Sequence, residues 1–450
     1  MLRQRLSITL GLLLLGCQNQ PAPPVPNTDV DLGAATTSEI PASTPESATT
    51  PSSESAPPAE AAVKPPVAVD APPALEAPSA DGHNRLSREE LDAGWLRLFD
   101  GHTLFGWTPN SPTNWMVAEG VISADGDEKG LLVTTTRWAD YELRVDFRVS
   151  DGGNSGIFLR TPRNPASPVT DCYELNICDS HPEFKSASLV GRAQPTTAVT
   201  ANGDWHTFHV TVLGPDVTVK LDHEVVLSYT DAAAAPLTSG LIGLQMNGGK
   251  AEFRNVFLKP LSVTDLFDGH SLAGWQVVPG LQSHFEVDEG TIRVTGGRGF
   301  LETVRTASNF VLQFEAITHG DALNSGVFFR AIPGTEKNPS DGYEFQVQSG
   351  FKNDDRNQPA DFGTGAIFRR APARRVISSD RQWLAATLVA DGPHFTTWVD
   401  GVQVVDWTDD RDPHENPRQG LRLDAGHFSL QGHDPTTNLQ FRKLRLANLP

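Results

Sequence analysis

Cysteine is scarce: the 450 residues hold three, at positions 17, 172 and 178. That count excludes a disulfide-stapled scaffold. Cys172 and Cys178 share the phrase DCYELNICD. In an extended strand they would stand roughly 20 Å apart, beyond disulfide reach, so both read as small buried apolar residues. Past Leu15 there is no long apolar run, which excludes a later transmembrane helix. Basic residues are outnumbered, 36 Lys and Arg against 55 Asp and Glu, for a net charge of −19. With no basic stripe, nucleic acid is excluded as a partner. Long amphipathic helical periodicity is missing as well.

The N-terminus carries its own address. Arg3 and Arg5 precede an apolar run from Leu6 to Leu15, then Gly16 and Cys17. A basic head followed by about ten apolar residues reads as a secretory signal, too short to span a bilayer. The ending LLGC resembles a bacterial lipobox. This implies a signal peptide over 1–17, cleavage before Cys17 and lipidation of its sulfur. Gln18 follows rather than Asp, which favours an exported lipoprotein at the outer membrane or facing the periplasm. The lipid is the expected membrane contact. Residues 18–81 hold 14 of the 34 prolines and nine carboxylates against Lys64 alone. Such a segment cannot bury a core, so 18–84 is expected to be a disordered tether.

From Trp95 the pattern is short alternating runs. In YELRVDFRVS, Tyr141, Leu143, Val145 and Phe147 share one face, and Glu142, Arg144, Asp146 and Arg148 the other. NFVLQFEAIT, HTFHVTVLG and DVTVKLDHEVV repeat the scheme, with Gly, Asp and Asn turns between. The implied class is all-β, a sandwich. Ser87 with Glu90 three later predicts one short capped helix. The pattern also repeats globally. LFDGHTLFGW begins at Leu98 and LFDGHSLAGW at Leu266, eight of ten identical. Glu174 in CYELNI and Glu344 in GYEFQV are 170 apart, and Phe253 and Phe441 of the closing phrases are 188 apart. Two homologous domains, 92–260 and 262–450, follow. The 18-residue gain is expected after Glu344, in GFKNDDRNQPADFGTGAIFRRAPARRV.

Together GWLRLFDGHTLFGW, GGNSGIFLR, YELNICD, GLIGLQMNG and EFRNVFLK in copy one, and LFDGHSLAGW, NSGVFFR, DGYEFQVQ, GTGAIFRRAPARRV, FSLQGHD and QFRKLRL in copy two, resemble the 3-keto-disaccharide hydrolase family. The resemblance spans about 350 residues. It implies two tandem concanavalin A-like jelly-roll sandwiches and activity on sugars oxidised to a ketone at carbon 3.

That chemistry needs a base to take the hydrogen beside the ketone, an electrophile for the ketone oxygen and an acid for the leaving group. A divalent metal could be the electrophile. Copy two offers Glu344 as base or ligand and His433 with Asp434 in LQGHD, where the resemblance places an imidazole; copy one has Met246, Asn247 and Gly248 there. Glu174 is copy one's counterpart of Glu344. Asn324, Arg330, Gln346, Arg369 and Arg160 are candidates for substrate binding, although Arg160 and Arg330 equally suit buried ion pairs. YELNICD also resembles the ExDxxE strand of laminarinase-type glucanases. A bulge after Asn176 would put Asp179 beside Glu174 as a retaining pair, but copy two has no second carboxylate in YEFQVQ. A carbohydrate-binding protein without catalysis is the remaining alternative. Trp107 and Trp275 are expected under the entry turns, and Trp205 and Trp383 in the core.

Overall fold

Alternation builds the architecture. In the strand Tyr141–Val149 every odd-numbered residue is buried and every even-numbered one half-buried, as a strand with one face on a core requires. The computed structural model describes residues 82–126, 128–338 and 341–450; the signal peptide, Cys17 and nearly all of the tether lie outside the described residues. The strand is central in an antiparallel sheet ordered Glu224–Thr230, Asp216–Leu221, His206–Leu213, Tyr141–Val149, Lys250–Pro260, Val121–Asp125, Met116–Ala118, with Leu96–Arg97 also paired to Lys250–Pro260. A five-stranded sheet lies against it: Trp107–Pro109, Gly130–Thr134, Leu241–Met246, Ser155–Thr161, Tyr173–Ile177. Phe147, Phe208, Phe253, Leu159 and Leu175 are among the side chains packed between them. This is a jelly-roll sandwich.

The second half repeats it. His284–Asp288, Thr291–Thr295, Asn438–Asn448, Phe310–Thr318, Leu384–Asp391, His394–Val399 and Val402–Thr408 form the larger sheet. Trp275–Val277, Gly299–Ala307, Gly426–Gly432, Ser325–Ala331 and Tyr343–Val347 form the smaller one. Each closing strand pairs with its own entry strand, Leu258 opposite Leu96 and Leu446 opposite Thr264, so each terminal edge is covered. In both smaller sheets the strands Ser155–Thr161, Tyr173–Ile177, Ser325–Ala331 and Tyr343–Val347 are buried at every position. Core covers one face and long loops cover the other.

The two entry turns share a local design and differ in what they touch. Asp100 accepts from the backbone N–H groups of His102 and Thr103, both at 2.7 Å, and Asp268 does the same for His270 and Ser271. Trp107 and Trp275 each donate Nε1 to the turn above, to the carbonyls of Leu98 and Leu266. Asp268 then faces solvent, whereas Asp100 is buried against Arg374 of the second sandwich at 2.8 Å. Around that pair the halves share one core. Trp138 packs on Trp398 at 5.7 Å between ring centres, and Arg137 forms two 2.7 Å bonds to Asp391. The short helix Arg88–Asp92 has the capping box of Ser87 and Glu90 and joins the second half through Arg88, which donates to the carbonyl of Trp383. No helix among the described residues is long and apolar enough to cross a membrane.

The extra 18 residues of copy two fall in three places, not one. Trp205 and Trp383, which open equivalent strands, stand 178 apart. Gly240 and Gly426, which both press on the backbone of the buried arginine, stand 186 apart. Eight residues therefore enter after Glu344, eight more between Thr408 and Gly426, and two in the turn before the closing strand. The middle insertion is invisible to phrase matching because DAAAAPLTSG and DDRDPHENPRQGLRLDAG share so little.

Candidate active site

On the smaller sheet of the second sandwich, Tyr343, Phe345 and Val347 point into the core. Alternation therefore turns Glu344 and Gln346 to the opposite, loop-covered face. Register places Phe328 beside Glu344 and Gly326 beside Gln346. One strand further on, Ser429 pairs with Phe328, and Gln431 follows on the same face. Gly326 leaves a pit: a methyl group there would sit 2.6 Å from Glu344 Oε1. Around it the side-chain oxygens of Gln346, Gln431 and Ser429 are buried with no hydrogen-bond partner in the protein. Unpaired buried acceptors are costly, and a polyhydroxylated ring that donates to them would remove the cost.

Two loops absent from the sheet complete this face. The first brings Asp361, which accepts from Asn324 Nδ2 at 2.6 Å and from Gln346 Nε2 at 3.1 Å. Asp361 and Phe362 both hold positive φ, 43° and 69°, a strained pair of non-glycine residues. The second loop, the middle insertion, brings Arg418, whose Nη2 lies 3.3 Å from Glu344 Oε2. Burial pushes the Glu344 carboxyl up to about 7 and Asp361 adds to the rise, while Arg418 and Arg369 oppose it. A carboxyl that titrates near neutrality is suited to proton abstraction. Of the residues named from the sequence, Glu344, Gln346, Asn324 and Arg369 come together here; Arg418 and Asp361 were not among them. Only the fold brings residues 17 and 74 positions away in sequence over one carboxylate.

The first sandwich keeps the frame with less in it. Glu174 is buried and its pKa is raised by that burial; its partner is an amide, Gln245 Nε2 at 3.1 Å. Register puts Val133 and Gly243 where copy two has Glu302 and Ser429. Asp179 does not join Glu174. The strand ends at Ile177, and the Asp179 oxygens accept from Ser186 Oγ and from the backbone N–H groups of Ala201 and Asn202. This corrects the laminarinase-like pair, since Asp179 ties down a loop.

Arg160 and Arg330 are also corrected, from sugar ligands to structural groups. Each has a positive φ at a sheet irregularity, 50° and 47°, and is almost fully buried, 2% and 0% exposed. Arg160 donates to the carbonyls of Ala139, Gly214 and Leu237 and pairs with Asp140. Arg330 donates to those of Ser308 and Arg422. Gly240 and Gly426 are required opposite them, because a side chain at either would meet that arginine's carbonyl carbon at 2.2 Å. Trp205 and Trp383 are half-buried rather than core: Arg148 and Arg254 cover the Trp205 ring, and Arg442 lies 3.9 Å from the centre of Trp383. Cys172 and Cys178 are free and buried.

His433 and Asp434 sit together at the rim, where the strand Gly426–Gly432 ends. His433 Nδ1 lies 2.9 Å from Asp434 Oδ2. Asp434 also accepts from Thr436 Oγ1 and N–H; the Thr436 hydroxyl first, then His433 and the Thr436 N–H, lower its pKa to about 2. Among the described residues no three His, Cys, Asp or Glu side chains converge as a metal-ligand set.

The fold is thus a pair of concanavalin A-like sandwiches, the second with a buried near-neutral carboxyl facing unpaired acceptors. The chain belongs to the family of 3-keto-alpha-glucoside-1,2-lyase-like domains, whose model matches residues 94–259 and again 262–447. It is similar to a 3-keto-disaccharide hydrolase of Bacteroides thetaiotaomicron, 27% identical over 37% of this chain and 79% of that protein. Solved structures with a related fold include a Parabacteroides distasonis protein assigned as a glycosyl hydrolase, at 23% identity and TM-score 0.36 over 40% of this chain and all of that one. A carbohydrate-binding module from Bacillus subtilis matches at 18% identity and TM-score 0.28, over 34% of this chain and 95% of its own length.

Proposed function

We propose that this chain cleaves 3-keto-glycosides by elimination at carbon 1 followed by hydration, and that the second sandwich does most of the work. The observation that carries the reading is Glu344, a buried carboxyl with a pKa of about 7 beside an arginine and a pit of unpaired acceptors. Ionised, it takes the proton from carbon 2. The electrons move to the carbon 3 oxygen as an enolate, then return to form the carbon 1–carbon 2 double bond as the aglycone oxygen leaves with a proton. Water adds to the enone to release the 3-keto sugar. His433 is the proposed acid for the aglycone, with Asp434 holding its Nδ1. Asn324, Gln346 and Arg369 are the proposed sugar contacts from the sequence, joined by Gln431 and Ser429. The first sandwich, with an amide on its Glu174 and apolar substitutions around it, is the proposed sugar-holding partner.

The lipobox supports export and anchoring through Cys17, with residues 18–81 holding the sandwiches off the membrane. Membrane fractionation of the chain and of Cys17→Ser tests this: release of the variant supports the anchor, and equal retention refutes it. Activity is tested by incubating the protein with a 3-keto-glucoside, with and without chelator. Release of the aglycone supports the reading, and binding with no release would favour the carbohydrate-binding alternative.

A further inference from the structure

The middle insertion of copy two, between Thr408 and Gly426, makes this connection eight residues longer than its copy-one counterpart and has one clear use at the site. Its base is pinned: Arg411 pairs with Asp409 at 2.8 Å and donates to the carbonyls of Pro417 and Gly420. Its crest is held by Asn416, which donates to Asp341, and by Arg370, which donates to the carbonyl of Arg418. The Arg418 side chain, 26% exposed, then runs over the Phe328 ring at 5.1 Å to reach Glu344 at 3.3 Å. Copy one lacks these residues, and its Glu174 has Gln245 as partner. A rigid strap thus delivers one cation to one carboxylate.

That spacing fits one step of the proposed reaction, on which this inference rests. The abstracted hydrogen is on carbon 2, and the oxygen that gains charge is on the adjacent carbon 3. A base and a donor about 3 Å apart can meet both at once. We infer that Arg418 is a catalytic residue, whose guanidinium hydrogen-bonds the carbon 3 oxygen and stabilises the enolate as Glu344 takes the carbon 2 proton. As substrate enters, the guanidinium stays beside Glu344 and turns a second N–H to the carbon 3 oxygen. No electron donor or further reactant is needed: the C–H pair becomes the enolate, and the proton goes to Glu344. A planar guanidinium can keep one N–H on the carboxylate while it offers another to substrate.

The charged groups facing Glu344 are Arg418 from the strap and Asp361 and Arg369 from the loop after its own strand. Loss of Arg418 therefore has two separable effects. The oxyanion loses its donor, which costs on the order of a hundredfold in kcat. Glu344 also loses a favourable cation, so the acidic limb of the pH–rate profile moves to higher pH. The test compares the full chain with Arg418→Ala and Arg418→Lys on a chromogenic 3-keto-glucoside, with thermal melts to confirm folding. The expected result is a kcat loss of about a hundredfold with KM changed much less, the acidic limb displaced upward in Arg418→Ala, partial recovery in Arg418→Lys, and rescue of Arg418→Ala by added guanidinium. An active parent with an Arg418→Ala variant within threefold of it, or one impaired without limb shift or rescue, overturns the role of Arg418 alone. A parent that turns over no 3-keto-glucoside overturns the functional reading beneath it.

Discussion

Glu344 and Glu174 show how one sequence position acquires two characters. Both are held by the same strand register, and both are pushed up by burial. What differs is the neighbour: an amide for Glu174, and Arg418, Arg369 and Asp361 for Glu344. Because Glu344 must be ionised to act as base, turnover should rise with pH through about 7 and level off above it, as a pH–rate profile would show. The stability sign is opposite. The folded pKa lies above the unfolded one, so the folded state binds the proton more tightly. The contribution is fully present below the ordinary carboxylate range and is lost as pH rises through about 7. Burying the charged form costs on the order of 3 kcal/mol. Glu344→Gln should therefore raise the melting temperature at pH 8 and leave it nearly unchanged at pH 4. An equal shift at both would refute the near-neutral carboxyl.

At the scale of elements, Gly326 and the first entry turn carry the sharpest consequences. Gly326 has ordinary strand geometry, so Gly326→Ala should fold, yet its methyl would collide with Glu344 Oε1. At the equivalent Gly156 the nearest atom is 3.2 Å away. Gly326→Ala should cut turnover at least tenfold, an effect of about 1.4 kcal/mol, while Gly156→Ala should be nearly silent. The entry turns divide likewise. Asp100→Ala strands the buried Arg374 and should cost about 3 kcal/mol in chemical denaturation; Asp268→Ala, at a solvent-facing copy of the same turn, should cost far less. Much of this scale was legible in the sequence. Alternation in YELRVDFRVS, the capping box at Ser87 and the repeat of LFDG each state a local rule that the fold obeys. That Glu344 and Gln346 share a face follows from alternation, and the repeat singled out Glu344 as the carboxylate common to both copies. What stayed hidden depends on contact between distant segments. Arg418 rides on an insertion with no counterpart to align, Asp361 on a strained loop, and nothing in GIFLR or GVFFR reveals that the arginine closes a bulge instead of facing a ligand.

At the scale of the molecule, the two sandwiches share a core through Trp138 and Trp398 and a buried ion pair through Asp100 and Arg374. They should therefore melt as one cooperative unit, and calorimetry should show a single transition with calorimetric and van't Hoff enthalpies equal; two separated transitions would contradict this coupling. The central claim is a division of labour, in which two copies keep one frame and the second performs the chemistry. Rates of 3-keto-glucoside cleavage by Glu344→Gln and Glu174→Gln, measured side by side against the parent, test it most directly. The account predicts that Glu344→Gln loses about a hundredfold or more while Glu174→Gln stays within a few-fold of the parent; equal losses, or a dominant loss from Glu174→Gln, would contradict it.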